Sequence, residues 1–412
     1  MRRRVVVTGI GAITPIGNDA KTSWANAKKG VNGIDFIKSY DPSEFEVQVA
    51  GEIKGFDFEA YFGKKQLKRM DRFIQLGLIA SKEAINDSEI NLDEINKLRA
   101  GVYYASGIGG LRTIAEQEDR ARDKGYNRLS PFFIPASIIN LAAGNIAIEY
   151  GFKGVAISNV TACASAANSI GEGFRAIRDG YLDVIIAGGS EAAVIPLGIA
   201  GFTVMQALNK SNDPEFASIP FDEARSGFVM GEGAGSLILE DYEHAKKRNA
   251  KIYGEIVGYG ATCDAYHITG PDPEASGAMN CMLMALEDGN ILPNEVDYIN
   301  AHGTSTPLND KVETLAIKRA FKEHAYNLNV SSTKSMTGHL LGASGAVESL
   351  FTLLSTRDDF IPPTINTKNL DPLCDLNYTL GKGVNKKVNI AITNSLGFGG
   401  HNATLVFKKY KE

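Results

Sequence analysis

Short runs of apolar residues alternate with helical patterns along the whole chain. In the first half these runs cover residues 5–7, 102–105, 155–157 and 184–187. In the second half they cover residues 296–300, 329–331 and 388–393. Strands this short and apolar, when separated by helices, are typical of sheets that are buried on both faces. The pattern therefore predicts an α/β protein built in layers.

A weak internal repeat accompanies this pattern, because three strands in each half end in small or reactive residues. The strand ends lie at residues 106–107, 161–163 and 190 in the first half, and at 301–303, 332–334 and 394–395 in the second. Ligands bind beyond the carboxyl ends of such strands. We therefore expect the two halves to contribute to one site.

The composition is that of an ordinary globular protein: of 412 residues, 44% are hydrophobic and 22% are charged. The 48 Asp and Glu residues outnumber the 43 Lys and Arg residues, which gives a net charge of −5. A negative chain without a basic stripe is not expected to bind nucleic acid. Its apolar stretches are too short, or too interrupted, for the roughly 20 residues of a membrane helix. We expect a soluble, cytoplasmic protein that does not enter a membrane.

Cys163 is the first candidate for chemistry, because it follows a strand and precedes a helix rich in small residues. The positive end of a helix dipole favours a thiolate, and free backbone N–H groups there can hold an oxyanion. The alternative is a small core residue, which is the commonest fate of a cysteine. The other cysteines show no disulfide framework or metal-binding spacing.

Two histidines and one lysine lie just beyond predicted strands: His302 in the segment 301–307, and Lys334 and His339 in the segment 331–339. A dense glycine cluster at 397–400 suggests unusual backbone angles or a close approach to a ligand. Cys163, His302 and His339 are zinc ligands by type, but they lack paired spacings such as CxxC, so we expect no metal. The glycine clusters also lack a nucleotide phosphate loop.

These motifs together resemble the β-ketoacyl-acyl-carrier-protein synthases. The segments that carry the resemblance are VVVTGIGAITPIG (5–17), TACASA (161–166), PFDEARSGFVMGEGAG (220–235), NAHGTSTP (300–307), SSTKSMTGHLLGASGAVES (331–349) and GFGGHN (397–402). The match extends from residue 5 to residue 407 and is most similar to the elongating enzymes of bacterial type II fatty-acid synthesis. It implies a thiolase-like fold, in which two similar halves form five αβαβα layers, and a homodimer. The implied halves are residues 1–250, with the cysteine, and 251–412, with both histidines and the lysine.

The resemblance also implies a reaction, the decarboxylative condensation of a malonyl thioester with an acyl group held on Cys163. The N–H groups of Cys163 and Phe398 would form the oxyanion hole. His302 and His339 would hold the malonyl thioester carbonyl. Lys334, paired with Glu348, would orient His339 and tune the site.

Further residues carry roles by the same resemblance. Thr304 and Thr306 would bind the pantetheine arm, Ile108 would close the acyl pocket, and Phe202 and Gly399 would also contact substrate. The enzyme would bind no cofactor of its own, because its substrates arrive on the phosphopantetheine arm of acyl carrier protein. That partner is acidic, so a local basic patch should receive it. The residues expected to form the patch are Lys64, Lys65, Lys68, Arg69 and Arg128.

Several alternatives stay open on the sequence. Two histidine motifs favour an elongating enzyme over an initiating one, which pairs Cys with His and Asn. Cys163 argues against a non-catalytic partner subunit of the chain-length-factor type, and the lysine–histidine motif at 334–339 disfavours a thiolase. A polyketide-type ketosynthase shares all the core motifs. The sequence departs from the family pattern at Leu396, Asn309 and Gln206.

Overall fold

The computed structural model describes residues 2–411. Its strands are β1 (Val5–Ile13), β2 (Asp35–Phe36), β3 (Val49–Ala50), β4 (Ala100–Ala105), β5 (Ala156–Ile157), β6 (Val184–Glu191), β7 (Gly233–Asp241), β8 (Gly254–Cys263), β9 (Tyr298–Asn300), β10 (Asn329–Ser331), β11 (Phe360–Ile361), β12 (Val384–Asn385), β13 (Ile390–Gly397) and β14 (His401–Lys408). Its helices are α1 (Ala20–Lys29), α2 (Phe58–Phe62), α3 (Lys64–Leu67), α4 (Arg72–Ser88), α5 (Leu111–Lys124), α6 (Phe133–Ser137), α7 (Leu141–Tyr150), α8 (Ser165–Arg178), α9 (Pro196–Val204), α10 (Tyr242–Lys247), α11 (Ser276–Asp288), α12 (Pro307–Phe321), α13 (Lys334–Thr337) and α14 (Ser344–Asp358).

The main sheet repeats one arrangement of strands twice. Its order is β10-β9-β13-β14-β8-β1-β7-β6-β4-β5. Reading outward from the centre, β8, β14, β13, β9 and β10 correspond to β1, β7, β6, β4 and β5. In both halves the three outer strands are parallel and the inner pairings are antiparallel. The weak internal repeat in the sequence therefore corresponds to two halves with the same strand arrangement.

The two half-sheets pack on shared central helices. Helix α8 contacts strands β4, β6 and β7 of the first half and β8 and β14 of the second, and it also packs on α14. Helix α14 contacts β13 and β14 as well as β6 and β7. Helices α4 and α7 cover the outer face of the first half, while α11 covers that of the second and packs on α12. This gives the five predicted αβαβα layers.

Small residues allow the central helices to approach each other closely. A methyl group added at Gly345 of α14 would lie 2.8 Å from the backbone nitrogen of Ala167 on α8. At Gly171 it would lie 2.4 Å from the ring of Tyr259 on β8. The alanines and glycines that follow Cys163 and His339 in sequence are therefore required by this packing. It brings the starts of α8 and α14, and the residues just before them, to one place.

The strand ends agree with the sequence pattern, although strands β5 and β13 differ in length from the apolar runs that predicted them. Strand β5 covers only residues 156–157, and both of its residues are exposed at the edge of the sheet. Strand β13 continues to Gly397 and so carries the backbone directly into the glycine cluster. No helix within residues 2–411 is both long and apolar enough to cross a membrane.

Candidate active site

Three reactive side chains from both halves of the chain meet beyond the carboxyl ends of β5, β9 and β10. The sulfur of Cys163 and the ring nitrogens of His302 and His339 all lie within 4.8 Å of one another. The two imidazole rings are nearly perpendicular, with centroids 5.2 Å apart. The sequence prediction that both halves contribute to one site is confirmed.

Cys163 lies in a 3-10 turn, Ala162–Ala164, immediately before α8. Burial raises the pKa of its thiol to about 12, and the positive charge of Lys334 and the Phe398 N–H only partly oppose this effect. Desolvation therefore opposes the thiolate that the helix terminus is expected to favour.

The glycine-rich loop after β13 lies over the start of α8. The Phe398 backbone N–H lies near the Cys163 sulfur and lowers the pKa of the thiol. A methyl group added at Gly397 would lie only 3.1 Å from the backbone nitrogen of Cys163, so the two chain segments are in close contact. Gly399 and Gly400 have φ angles of 85° and 75°, which glycine adopts most readily. The backbone of Cys163 and that of the glycine-rich loop carrying Phe398 are therefore directly adjacent.

The ring of His339 is held through Nδ1. This atom accepts a hydrogen bond from the Leu341 N–H at 3.2 Å and lies 2.8 Å from the hydroxyl of Ser344. Because Nδ1 is an acceptor, the neutral ring carries its proton on Nε2. Among the described residues, the buried Nε2 has no hydrogen-bond partner. The ring therefore presents a free N–H donor to the site.

His302 is held by Lys334. The ammonium nitrogen lies 3.3 Å from His302 Nδ1 and donates to the His302 carbonyl oxygen at 2.7 Å. It is also paired with the carboxylate of Glu348. The prediction that Lys334 orients His339 is wrong: its contacts are with His302, whereas His339 is held by Ser344 and Leu341. An ammonium can only donate, so the proton of the neutral His302 ring is also on Nε2.

Both histidines are neutral in this environment. Burial lowers the pKa of His302 and of His339 well below the ordinary value of 6.5, and the charge of Lys334 lowers both further. The paired Glu348 is buried as well, and desolvation raises the pKa of its carboxyl above the usual range. The site thus presents two neutral N–H donors next to a thiol.

The predicted substrate-binding residues surround this centre. The hydroxyls of Thr304 and Thr306 lie 2.9 Å apart in the loop that follows His302. Ile108 and Phe202 belong to one apolar cluster that includes Leu341. The Phe202 ring lies 6.5 Å from the ring of Phe398. An apolar cluster therefore adjoins Phe398, and two hydroxyl groups follow His302.

The predicted docking residues are on the surface, away from these side chains. Lys64, Lys65, Lys68, Arg69 and Arg128 are all exposed. Lys64 forms an ion pair with Glu59 at 3.3 Å, and the guanidinium of Arg69 lies 5.0 Å from the centre of the Phe132 ring. The patch is therefore accessible to a partner, and Lys65 and Lys68 have no ion-pair partner among residues 2–411.

The cluster of Cys163, His302 and His339 could hold a metal ion by distance alone. One feature of the site works against a divalent cation. The positive charge of Lys334 lies beside His302 and would repel a second cation.

Two residues that position the histidines were missed in the sequence. The carboxylate of Glu313 accepts the backbone N–H groups of His302 and Gly303, each at 2.8 Å, and burial raises its pKa to about 7. Ser344 holds His339. Acidic residues at 310 and 313, on the buried face of the helix after the His302 loop, were a usable signal, because buried carboxylates need partners. The sequence around Ser344 gave no such signal, because serine is common at the starts of helices.

Comparisons with known proteins define the family. Residues 2–245 match the family described as Beta-ketoacyl synthase, N-terminal domain, and residues 253–368 match Beta-ketoacyl synthase, C-terminal domain. The chain belongs to the β-ketoacyl synthase family, as its motifs predicted.

The relatives cover the whole chain. A protein of Synechocystis sp., named 3-oxoacyl-acyl-carrier-protein synthase 2, is 51% identical over 411 residues, which are 100% of this chain and 99% of the relative. A Staphylococcus aureus protein of the same name is 50% identical over 409 residues, 99% of each chain.

Among solved structures, a β-ketoacyl synthase from Burkholderia phymatum matches with a TM-score of 0.91 and 33% identity, over 99% of this chain and 100% of that one. A type II polyketide ketosynthase, in complex with its acyl-carrier protein, matches with a TM-score of 0.92 and 33% identity over 100% of both chains. These likenesses confirm the thiolase-like α/β fold.

Proposed function

We propose that this protein elongates acyl chains by decarboxylative condensation of malonyl-acyl-carrier-protein with an acyl group held on Cys163. The observation that carries the proposal is the pair of neutral histidines, each with its proton on Nε2, next to one thiol. Two N–H donors can share the single oxygen of a thioester carbonyl. They stabilise the enolate that forms there more than they stabilise the ground state.

The first step is acyl transfer. The Cys163 sulfur attacks the acyl thioester, a new C–S bond forms, and the bond to the pantetheine sulfur breaks. The proton of the thiol passes to the departing pantetheine thiolate. The N–H groups of Cys163 and Phe398 receive the charge that develops on the carbonyl oxygen.

The second step is condensation. The malonyl thioester binds with its carbonyl oxygen at His302 Nε2 and His339 Nε2. Its carboxylate leaves as CO2, and the bonding electrons move into the enolate. The enolate carbon attacks the acyl-Cys163 carbonyl, the C–S bond breaks, and Cys163 takes up a proton. The product is a β-ketoacyl thioester longer by two carbons.

The substrate class and partner follow from the family and the surface. The 50–51% identity to two synthases of acyl-carrier-protein substrates exceeds the 33% identity to a polyketide ketosynthase, which favours fatty-acid elongation. The exposed cations Lys65 and Lys68 would receive an acidic carrier protein, whose phosphopantetheine arm would pass Thr304 and Thr306. No cofactor resident on the enzyme is needed for either step.

A homodimer is part of the proposal. Strand β5 lies at one end of the sheet with its outer edge unpaired. Apolar side chains surround it and remain exposed: Ile138, Ile148, Val155, Ile157 and Val160. A second copy could pair with this edge and cover these side chains. We also propose a cytoplasmic location, because a catalytic thiol must stay reduced.

The test is intact mass spectrometry of the reduced protein mixed with octanoyl-acyl-carrier-protein. One octanoyl adduct should form and should disappear on addition of malonyl-acyl-carrier-protein, with release of CO2. Cys163→Ala should form no adduct, and Cys281→Ala, which removes a buried cysteine outside the site, should behave like the wild type. An adduct that persists in Cys163→Ala would contradict the proposal.

A further inference from the structure

Glu191 is a buried carboxylate to which neither the sequence nor the proposed steps assign a role. It is the last residue of β6, and its side chain is fully buried. It forms no ion pair with any residue between 2 and 411. A buried charge without an ion partner is costly unless hydrogen-bond donors compensate it. The charge of the Glu191 carboxylate is compensated by hydrogen-bond donors alone.

Five donors from two loops converge on the Glu191 carboxylate. Oε1 accepts from the Ser106 hydroxyl at 2.7 Å and from the N–H groups of Ile108 at 3.2 Å and Gly109 at 3.4 Å. Oε2 accepts from the N–H groups of Gly107 at 2.8 Å and Gly342 at 3.0 Å. Both oxygens act only as acceptors in these hydrogen bonds, which oppose the desolvation that raises the pKa of the carboxyl.

The two loops belong to opposite halves and have different tasks. Residues 106–109 follow β4 and carry Ile108, which packs in the apolar cluster with Phe202. Gly342 comes three residues after His339, whose Nδ1 is bound by the neighbouring Leu341 N–H. A methyl group added at Gly342 would lie 2.1 Å from the Gly107 nitrogen. The loops are therefore in direct contact at the carboxylate.

We propose that Glu191 is a positioning residue that couples acyl-chain selection at Ile108 to the malonyl step at His339, by holding the two loops against each other. This inference rests on the proposed condensation. A change in the acyl pocket that moves residues 106–109 is transmitted through one carboxylate to the segment 339–342. The chain already bound on Cys163 thus influences how His339 receives the malonyl group.

Glu191→Gln tests this idea with almost no change in shape. In either orientation of the amide, its NH2 group faces two backbone N–H donors: those of Gly107 and Gly342, or those of Ile108 and Gly109. Both loops should loosen. Glu240→Gln is the matched control, because Glu240 is another fully buried carboxylate, bound by Thr8, His244 and Arg248 outside the site.

The measurements are the ratio of Cys163 acylation rates with eight-carbon and sixteen-carbon acyl carrier proteins, and the rate of CO2 release from malonyl carrier protein by the acylated enzyme. In Glu191→Gln the ratio should move toward one, and CO2 release should fall by about tenfold, since a small displacement of a reacting group is costly. Glu240→Gln should keep the wild-type ratio.

Alkylation of Cys163 by iodoacetamide gives a third measurement. Its pH profile should move to lower pH in Glu191→Gln, because a neighbouring negative charge is removed.

An unchanged ratio and unchanged CO2 release in Glu191→Gln would overturn the proposal, as would equal changes in both variants. If Glu191→Gln does not fold, Ser106→Ala removes one of the five donors and should move the ratio in the same direction; no movement there would overturn it. A wild-type enzyme that forms no acyl adduct would instead contradict the proposed function itself.

Discussion

The Lys334 ammonium lies 3.3 Å from Nδ1 of His302, and it also binds the carbonyl oxygen of the same residue. The two residues follow neighbouring parallel strands, β10 and β9. Lys334 therefore has two effects on one ring. It fixes the tautomer that places the proton on Nε2, and its charge lowers the pKa of His302. The catalytic form of His302 is set by a residue that need not touch the substrate.

Replacing Lys334 should therefore damage the malonyl step more than acyl transfer. In Lys334→Met, His302 loses its fixed tautomer, and CO2 release should fall by about 100-fold, as for loss of an oxyanion donor. The pKa of Cys163 should rise further, because a nearby positive charge is lost. Alkylation of Cys163 should then require higher pH.

The control for this variant addresses folding. Lys334→Met leaves Glu348 buried without a partner, which costs about 3 kcal/mol of unfolding free energy. The double variant Lys334→Met/Glu348→Gln should recover most of that stability but not the rate of CO2 release. Recovery of the rate together with the stability would show that Lys334 has only a structural role.

Ser344 should matter specifically for decarboxylation. Its hydroxyl lies 2.8 Å from His339 Nδ1, so Ser344→Ala weakens the selection of the Nε2–H tautomer. CO2 release should fall by about tenfold, while the rate of Cys163 acylation stays near that of the wild type. Ser349→Ala is the control, since this buried hydroxyl on the same helix has no partner among the described residues. A similar loss in both variants would point to general damage of α14.

The sequence predicted the layers, the strand ends and the cluster of Cys163, His302 and His339. Short apolar strands, and the residues at their carboxyl ends, can be located directly in the sequence. It did not predict which side chain holds which histidine. That depends on distances of a few ångströms between loops of separate strands, and these follow from helix packing rather than from local pattern. The family resemblance therefore assigned Lys334 to His339, whereas its contacts are with His302.

The run at residues 243–248 illustrates a second limit. Its mixed charges are typical of a solvated helix end, but His244 and Arg248 both bind the fully buried Glu240. Periodicity shows which residues can face the interior, whereas only the fold shows that a carboxylate on β7 lies beneath them. The role of Glu191 was hidden for the same reason, since its partners are backbone N–H groups of residues distant in sequence.

The contact between Gly397 and the Cys163 turn predicts a specific defect. In Gly397→Ala the new methyl group would lie 2.7 Å from the Thr161 carbonyl oxygen, so the loop that carries the Phe398 N–H must move. Acylation of Cys163 should fall by roughly 100-fold, because the oxyanion donors no longer converge. Gly201→Ala is the control: nothing lies within 4 Å of the added methyl group in α9. It should leave acylation unchanged.

Charge reversal tests the docking patch. Lys65→Glu/Lys68→Glu should raise KM for acyl carrier protein by roughly tenfold. This is expected because two exposed charge contacts with the carrier protein, each contributing up to ~1 kcal/mol, are lost. Activity with small acyl thioesters that lack the carrier protein should not change. Lys382→Glu/Lys387→Glu makes the same change of net charge on exposed residues elsewhere. An equal rise of KM in both variants would show a response to net charge rather than docking.

The His244–Glu240 pair should make stability depend on pH above about 6.5. The hydrogen bond to Glu240 raises the folded-state pKa of His244 above its ordinary 6.5. The protonated ring therefore contributes its full stabilisation below pH 6.5, and this is lost as pH rises through the raised folded pKa. His244→Gln should lower the unfolding free energy at pH 6 by more than at pH 9. The difference should be under about 1 kcal/mol, because solvent screens a ring that is partly exposed.

Urea unfolding across this pH range measures the difference in unfolding free energy. His267→Gln is the control, since the His267 ring accepts backbone N–H groups instead of facing a carboxylate. A difference that grows with pH would contradict the assignment.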